Sequence, residues 1–296
     1  MIYHKSVLLQ EVIEGLKVKS GQKYIDATLG GGGHASSIIE KGGLVLGIDA
    51  DSEAIEFAEK LKAQNLKLKT LRTARGNFRN IDKIARENGF DKVCGILFDL
   101  GLSSYQIDEP KRGFSYLKSG PLDMRMDQGL GVKASDLLNA LGKRELYEIF
   151  KKLGEEHHAH SISERIISAR RIKPFETTDD LVKVLTDTYG FNNKTDFAKA
   201  KSSKKVFQAL RIAVNDELGT LKEAIPKALN LLEKGGRVAV ITFHSLEDRI
   251  VKQTFIEFEK EEKGKAVNKK PILPSSLEIE QNNRSRGAKL RIFEAK

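Results

Sequence analysis

Tyr24-Ile-Asp-Ala-Thr-Leu-Gly-Gly-Gly-Gly-His34, followed after one short helical segment by Leu44-Val-Leu-Gly-Ile-Asp49, is the stretch whose reading decides the fold. Tyr24 to Leu29 is mostly apolar or β-branched, as in a buried strand. Gly30 to Gly33 then remove every Cβ where the chain must turn and let a ligand approach the backbone. His34 to Lys41 reads as a helix and Leu44 to Ile48 as a second strand. Asp49 ends that strand, so its carboxylate projects from the C-terminal edge, where it can accept hydrogen bonds from the hydroxyls of a ribose. Strand, glycine loop, helix, strand and carboxylate together are the layout of a nucleoside-cofactor site.

The spacing leaves two cofactors open. Gly30-x-Gly32-x-x-Ala35 satisfies a loose dinucleotide fingerprint, with Asp49 near the expected distance beyond it. Asp26 stands against that reading. A carboxylate at the mouth of the loop repels a pyrophosphate but attracts an ammonium, which favours S-adenosylmethionine over NAD. A ligand-free glycine turn is disfavoured, because four consecutive glycines carry a large entropic cost.

The 296-residue chain is long enough for one large or two modest domains. Fifty-one Lys and Arg against 41 Asp and Glu give a net charge of +10, which points to a polyanionic partner. Cys94 is the only cysteine, which leaves neither an intramolecular disulfide nor a cysteine cluster for zinc. No metal site is expected. No apolar run is long enough for a membrane span, and His4, Lys5 and Gln10-Glu11 interrupt any secretory apolar core. A cytoplasmic location is expected, without a membrane partner.

Val7 to Lys17 and Ser52 to Gln64 read as helices, the latter capped by Ser52. Leu66 to Arg72 reads as a third strand, Asn80 to Asn88 as a helix, and Val93 to Phe98 as a fourth strand ending at Asp99. This βαβ rhythm implies an α/β fold with a parallel sheet. From Pro110 to Lys205 it gives way to helical segments at 134–153, 161–171 and 177–188. A long helix is expected over 206–232, with strands at 237–243 and 289–293 and an exposed charged stretch at 257–270. The expected organisation is a discontinuous domain, 1–109 and 206–296, around an inserted helical domain, 110–205.

Ligands of an open parallel sheet collect beyond the C-terminal strand ends, where Asp26, Asp49 and Asp99 fall. In Arg112-Gly-Phe-Ser-Tyr116, Phe114 and Tyr116 beside Arg112 suit base stacking with phosphate pairing, although core anchoring is the commoner fate of aromatics. Gln208, Arg211 and Asn215 share one polar helical face beyond the basic run Lys199, Lys201, Lys204, Lys205. His244 and Ser245 fall at a strand end, and Arg284 and Arg286 precede the last strand. No hydrolytic triad or metal-ligand spacing assembles from these residues.

Taken together, the segments resemble the bacterial ribosomal RNA small-subunit methyltransferase H family, also called MraW. The resemblance runs through His4 to Leu9, Asp26 to His34, Gly47 to Asp51, Phe98 to Gln106, Arg112 to Tyr116, Gly120 to Asp127, Gly154 to Glu156, Phe207 to Glu217, Thr242 to Arg249 and Asn283 to Leu290. It implies a class I S-adenosylmethionine-dependent methyltransferase sheet, Rossmann-like, with the helical insertion recognising substrate. It also implies N4 methylation of a decoding-centre cytidine in 16S rRNA of the small ribosomal subunit. Carried over by motif, cofactor contacts fall on Gly32, Gly33, His34, Asp49, Phe78, Asp99 and Gln106. Two departures stand out: Ser202-Ser-Lys-Lys-Val-Phe-Gln208 replaces the family's His-Pro-Ala lead, and the region before the Asn-x-Arg-x-Arg-like terminus is short.

On this reading Asp99, or a backbone carbonyl beside it, accepts the proton of the methylated amine, while Tyr105, Phe114 and Tyr116 are candidates for base stacking. The cofactor and catalytic roles of Asp99 are not separable from sequence. An NAD-dependent oxidoreductase and a non-enzymatic ribosome-binding factor are the alternatives, and both a monomer and a homodimer are compatible with the chain.

Overall fold

In the computed structural model, which describes residues 6–191 and 195–296, α1 (Leu9–Gly15) leads into β1 (Lys23–Asp26), and the glycine stretch turns the chain into α2 (Gly33–Glu40). His4 and Lys5 of the N-terminal motif lie outside the described residues. Next come β2 (Leu44–Asp49), α3 (Ser52–Gln64), β3 (Arg72–Arg75), α4 (Ile81–Glu87) and β4 (Val93–Asp99). The helical segment comprises α5 (Ser104–Asp108), α6 (Ala134–Ala140), α7 (Lys143–Leu153), α8 (Ala159–Arg170), α9 (Thr178–Thr188) and α10 (Asp196–Asn215). The chain then returns through α11 (Glu217–Leu231), β5 (Leu232–Thr242), α12 (Ser245–Lys260), β6 (Gly264–Ala266), α13 (Ser276–Gln281) and β7 (Lys289–Ala295).

The seven strands form one sheet in the order β3-β2-β1-β4-β5-β7-β6. β1 to β5 pair in parallel, and β7 runs antiparallel to both β5 and β6. This is the Rossmann-like α/β sheet that the resemblance implied. Helices cover both faces, so the strands read as nearly unbroken apolar runs. Ile25, Ile96, Phe98, Val238 and Val240 pack on one side with residues of α4, α11 and α12. Tyr24, Leu97, Ala239 and Ile241 pack on the other with residues of α1, α2 and α3. The strand order reverses between β1 and β4, the switch point beyond whose C-terminal strand ends ligands of such sheets bind.

Two compact units divide the chain: one runs through Ser103 and resumes at Leu218–Lys296, and the other is Ser104–Glu217.

Five segments depart from the local expectations. Residues 66–71 are not a strand, and the third strand, β3, begins only at Arg72. Leu66–Thr70 is a 3-10 turn in which Leu68 is buried while Leu66 is 74% exposed, and the Asn65 side chain caps it by accepting from Lys67 N. The cap of α3 is Asp51, not Ser52, because the Asp51 carboxylate accepts from Glu53 N. The 134–153 segment is two helices. Leu141 is extended and Gly142 N donates to Glu145 Oε2, starting α7 afresh. Residues 206–232 likewise break at Asp216, whose φ of 46° ends α10, and α10 itself starts earlier at Asp196 under a Thr195 cap. Within 257–270, α12 persists to Lys260 and Gly264–Ala266 adds the edge strand β6.

Candidate active site

Asp26, Asp49 and Asp99 end β1, β2 and β4, at the C-terminal side of the sheet. The glycine loop is fastened to them. Gly30 N donates to Asp49 Oδ2 at 2.8 Å and Asp51 N donates to Asp49 Oδ1 at 2.9 Å. Gly30 and Gly32 have φ of 47° and 73°, a backbone region that penalises any Cβ. Gly33, the first residue of α2, is closed to a side chain for a different reason: a Cβ there would sit 2.1 Å from Ser6 Oγ.

Thr28 ties two carboxylate-bearing strands together. Its N–H donates to Asp26 Oδ1 at 3.2 Å, and its Oγ1 accepts from Asp99 N at 2.7 Å. Asp26 is 1% exposed. Loss of solvent pushes its carboxyl up to about 7, and nearby Asp49 adds to the rise while Thr28 N–H opposes it. Asp49 is pushed up to about 6, again chiefly by burial, against the backbone donors of Asp51 and Gly30. Asp99 is held well above the ordinary carboxylate range by burial and by the charges of Asp26 and Glu247.

His34 lies beside Asp99. Its Nε2 is 3.1 Å from Val7 O; a carbonyl can only accept, so Nε2 carries the proton and Nδ1 faces Asp99 Oδ2 at 3.6 Å. Asp99 Oδ1 is buried without a hydrogen-bond partner among the described residues. Phe78, in the turn Phe78–Asn80 after β3, sets its ring edge-on to Phe98 at 5.5 Å. Desolvated acids at a topological switch point, one with an orphaned oxygen, fit a ligand that brings positive charge and hydroxyl donors. A pyrophosphate brings neither.

His244 caps α12: Glu247 N donates to its Nδ1 at 3.4 Å, and Glu247 Oε2 accepts from Phe243 N at 2.8 Å. Ser245 is the first residue of α12. Arg284 and Arg286 are exposed on the turn Asn283–Gly287, and a Cβ on Gly287 would lie 3.0 Å from Phe243 O.

In the helical unit the expectation of free phosphate-pairing arginines needs correcting. Arg112 is 3% exposed and its Nη2 donates to Arg125 O at 3.0 Å and Met126 O at 2.9 Å. It organises a loop. Asn215 does the same from α10, accepting from Met126 N at 2.7 Å and donating to Met124 O at 2.8 Å. Arg211 is engaged by Glu217 in a two-pronged ion pair, both bonds 2.8 Å. Phe114 is buried under Arg112, and Tyr116 is half-buried, edge-on to Phe207 at 5.7 Å. Gln106 is buried in α5. Sequence reasoning missed Thr28 and Glu247. Thr28 lies inside the quoted stretch, and the spacing from His244 to Glu247 is that of a capping box.

A Rossmann-like sheet with carboxylates grouped at its switch point defines a nucleoside-cofactor enzyme class. The model of the MraW methylase family matches residues 1–296, and the chain belongs to that family. It is 44% identical to the ribosomal RNA small subunit methyltransferase H of Halothermothrix orenii, over 99% of each chain. Among solved structures it is similar to an rRNA methylase from Streptococcus thermophilus, with 13% identity, a TM-score of 0.44, and coverage of 97% of this chain and 93% of that one. It is also similar to NSun6 from Pyrococcus horikoshii with SFG, with 12% identity, a TM-score of 0.46, and coverage of 98% and 52%. Methylase membership and the acid-rich site are consistent with S-adenosylmethionine as the cofactor, rather than with the dinucleotide that the glycine loop also fits.

Proposed function

We propose that the protein methylates 16S rRNA of the small ribosomal subunit, with N4 of a decoding-centre cytidine as the methyl acceptor. The observation that carries the chemical part is Asp99: a buried carboxyl with one oxygen unpartnered, at the end of β4, beside two further acids. The 44% identity over nearly the whole length of a small-subunit rRNA methyltransferase supports the substrate class.

S-adenosylmethionine supplies an electrophilic methyl group and a positive charge. Asp26, the most deeply buried of the three acids, is the partner for an ammonium. Each Asp49 oxygen already accepts one backbone N–H and has lone-pair capacity left for a ribose hydroxyl. Gly32, Gly33 and His34 line the loop side, and Phe78 offers an apolar wall for a base. Asp99 must be ionised to act as a base, and a cation held beside Asp26 lowers its pKa. Its Oδ1 would then accept a hydrogen bond from the exocyclic amine, orienting the nitrogen lone pair, and take the proton as the N–C bond forms and the methyl–sulfur bond of the donor breaks, its electron pair staying on sulfur. Raised basicity relative to an exposed aspartate suits it to hold that proton.

The helical unit is the proposed RNA-recognition domain, and the net charge of +10 favours a polyanionic substrate. A cytoplasmic location follows from that substrate. Among the described residues no helix is long and apolar enough to cross a membrane. Incubation with methyl-labelled cofactor and small-subunit particles at several assembly stages, followed by nucleoside mapping, tests the proposal. Label recovered as N4-methylcytidine is the expected result; label at another nucleoside or none in RNA overturns it.

A further inference from the structure

Phe197, near the start of α10, is 70% exposed, an unusual position for a large aromatic. Lys201, one turn on, places Nζ 5.8 Å from the centre of its ring and 5.9 Å from that of Phe191. Phe191 in turn lies parallel to Tyr189, with planes 2° apart and centroids 6.2 Å apart, and Tyr189 meets His158 edge-on at 4.7 Å. The polar end of Tyr189 is fixed, since its hydroxyl donates to buried Glu156 at 2.8 Å. Tyr189 is thereby held in place.

Along the first turns of α10 lysines outnumber acids. Lys199, Lys201 and Lys204 make no ion pair among the described residues, and Lys204 is exposed like Lys201. Lys205 Nζ donates to Glu155 O. Asp196, the first residue of α10, is the opposing charge on that stretch, and its place in the first turn suits the helix dipole. A face covered by a second protein is ordinarily poor in lysine, whereas aromatic faces with unpaired cations beside them match a single-stranded polyanion with flat bases.

We infer that Phe197, with Lys201 and Lys204 beside it, is a stacking platform for an unpaired RNA nucleotide. The inference rests on the rRNA reading above and deepens it by naming where a flanking nucleotide docks. Phe197 supplies the face on which a base stacks, and Lys201 and Lys204 neutralise adjacent phosphates. None of these side chains belongs to the carboxylate site.

The test uses the full chain and a short unstructured RNA carrying 2-aminopurine, whose fluorescence is quenched on stacking. The wild type is expected to quench it. Phe197→Ala should abolish quenching and weaken binding about tenfold, and Phe197→Trp should restore both. Lys201→Gln should lower the slope of log affinity against log salt by about 0.7. Because Phe197 is exposed, its loss leaves the fold intact, which circular dichroism checks. Absent quenching by the wild type, or equal affinity and quenching for Phe197→Ala, overturns the platform. So does a variant that alters only self-association, which would assign the face to a second copy of the chain. Quenching lost in the variant while neither protein methylates small-subunit RNA keeps the platform and removes the functional reading. Equal KM for RNA in two active proteins does the reverse.

Discussion

Replacing Asp26 by Asn should stabilise the cofactor-free protein at alkaline pH while weakening cofactor binding. The carboxyl is 1% exposed and its pKa is pushed up to about 7 from 3.8. The folded protein therefore binds this proton more tightly than the unfolded chain. The group's stabilising contribution is fully present below the unfolded value and is lost as pH rises through the folded one. A rise of roughly three units corresponds to about 4 kcal/mol lost by pH 8, of which about 3 kcal/mol disappears between pH 5 and pH 8. Asn keeps an oxygen for Thr28 N–H and carries no charge. Urea unfolding of both proteins without cofactor, at pH 5, 6.5 and 8, should show a steeper decline for the wild type. Asp49 and Asp99 titrate in both proteins, so the informative quantity is the difference between the two slopes. With cofactor added the order should invert, because the wild-type anion meets a cation and the amide does not. Parallel pH profiles would refute the assignment of the titrating group, and undiminished cofactor affinity in the variant would refute its role as cation partner.

Cofactor binding near pH 7 should release protons from the raised acids, since added positive charge lowers their pKa values. Calorimetric enthalpies measured in buffers of different ionisation heat give the number released, and buffer-independent enthalpies would contradict it. Asp99→Ala should reduce turnover by about a hundredfold or more, as expected for loss of a proton acceptor. Near-normal turnover with retained cofactor binding would rule out an essential catalytic role. Asn215→Ala should lower stability by about 2 to 3 kcal/mol, because it strips Met126 N and Met124 O of their partner. Thermal unfolding reads this, and a change below about half a kcal/mol would mean that water replaces the amide.

Much of the sheet was legible because its signals are local. β-branched and aliphatic runs, glycines at the turn and a terminal aspartate at each strand placed β1, β2 and β4 to within a few residues. The 66–70 segment was misread for an equally local reason. Leu-Lys-Leu-Lys alternates like a strand, but only Leu68 finds a core to enter. The helix breaks at Gly142 and Asp216 depend on capping partners that periodicity does not weigh.

The substrate-facing candidates were less legible. Arg112, Phe114, Arg211 and Asn215 carry polar or aromatic groups suited to RNA, but their partners lie elsewhere in the fold. Arg112 holds carbonyls 13 and 14 residues away, and Asn215 holds a loop about ninety residues away. An aromatic residue defaults to the core, so nothing local marks Phe197, and only its exposure in the fold separates it from Phe207.

By itself the sequence determined the α/β architecture, the glycine loop and the three acids at the strand ends, since periodicity and backbone freedom are properties of neighbouring residues. It also carried the family in the order of its motifs. Only the tertiary structure decided that burial raises the pKa of all three acids, that Thr28 links Asp26 to Asp99, and which arginines are already engaged. Desolvation and hydrogen-bond satisfaction depend on groups brought together from distant parts of the chain, and no local pattern encodes them.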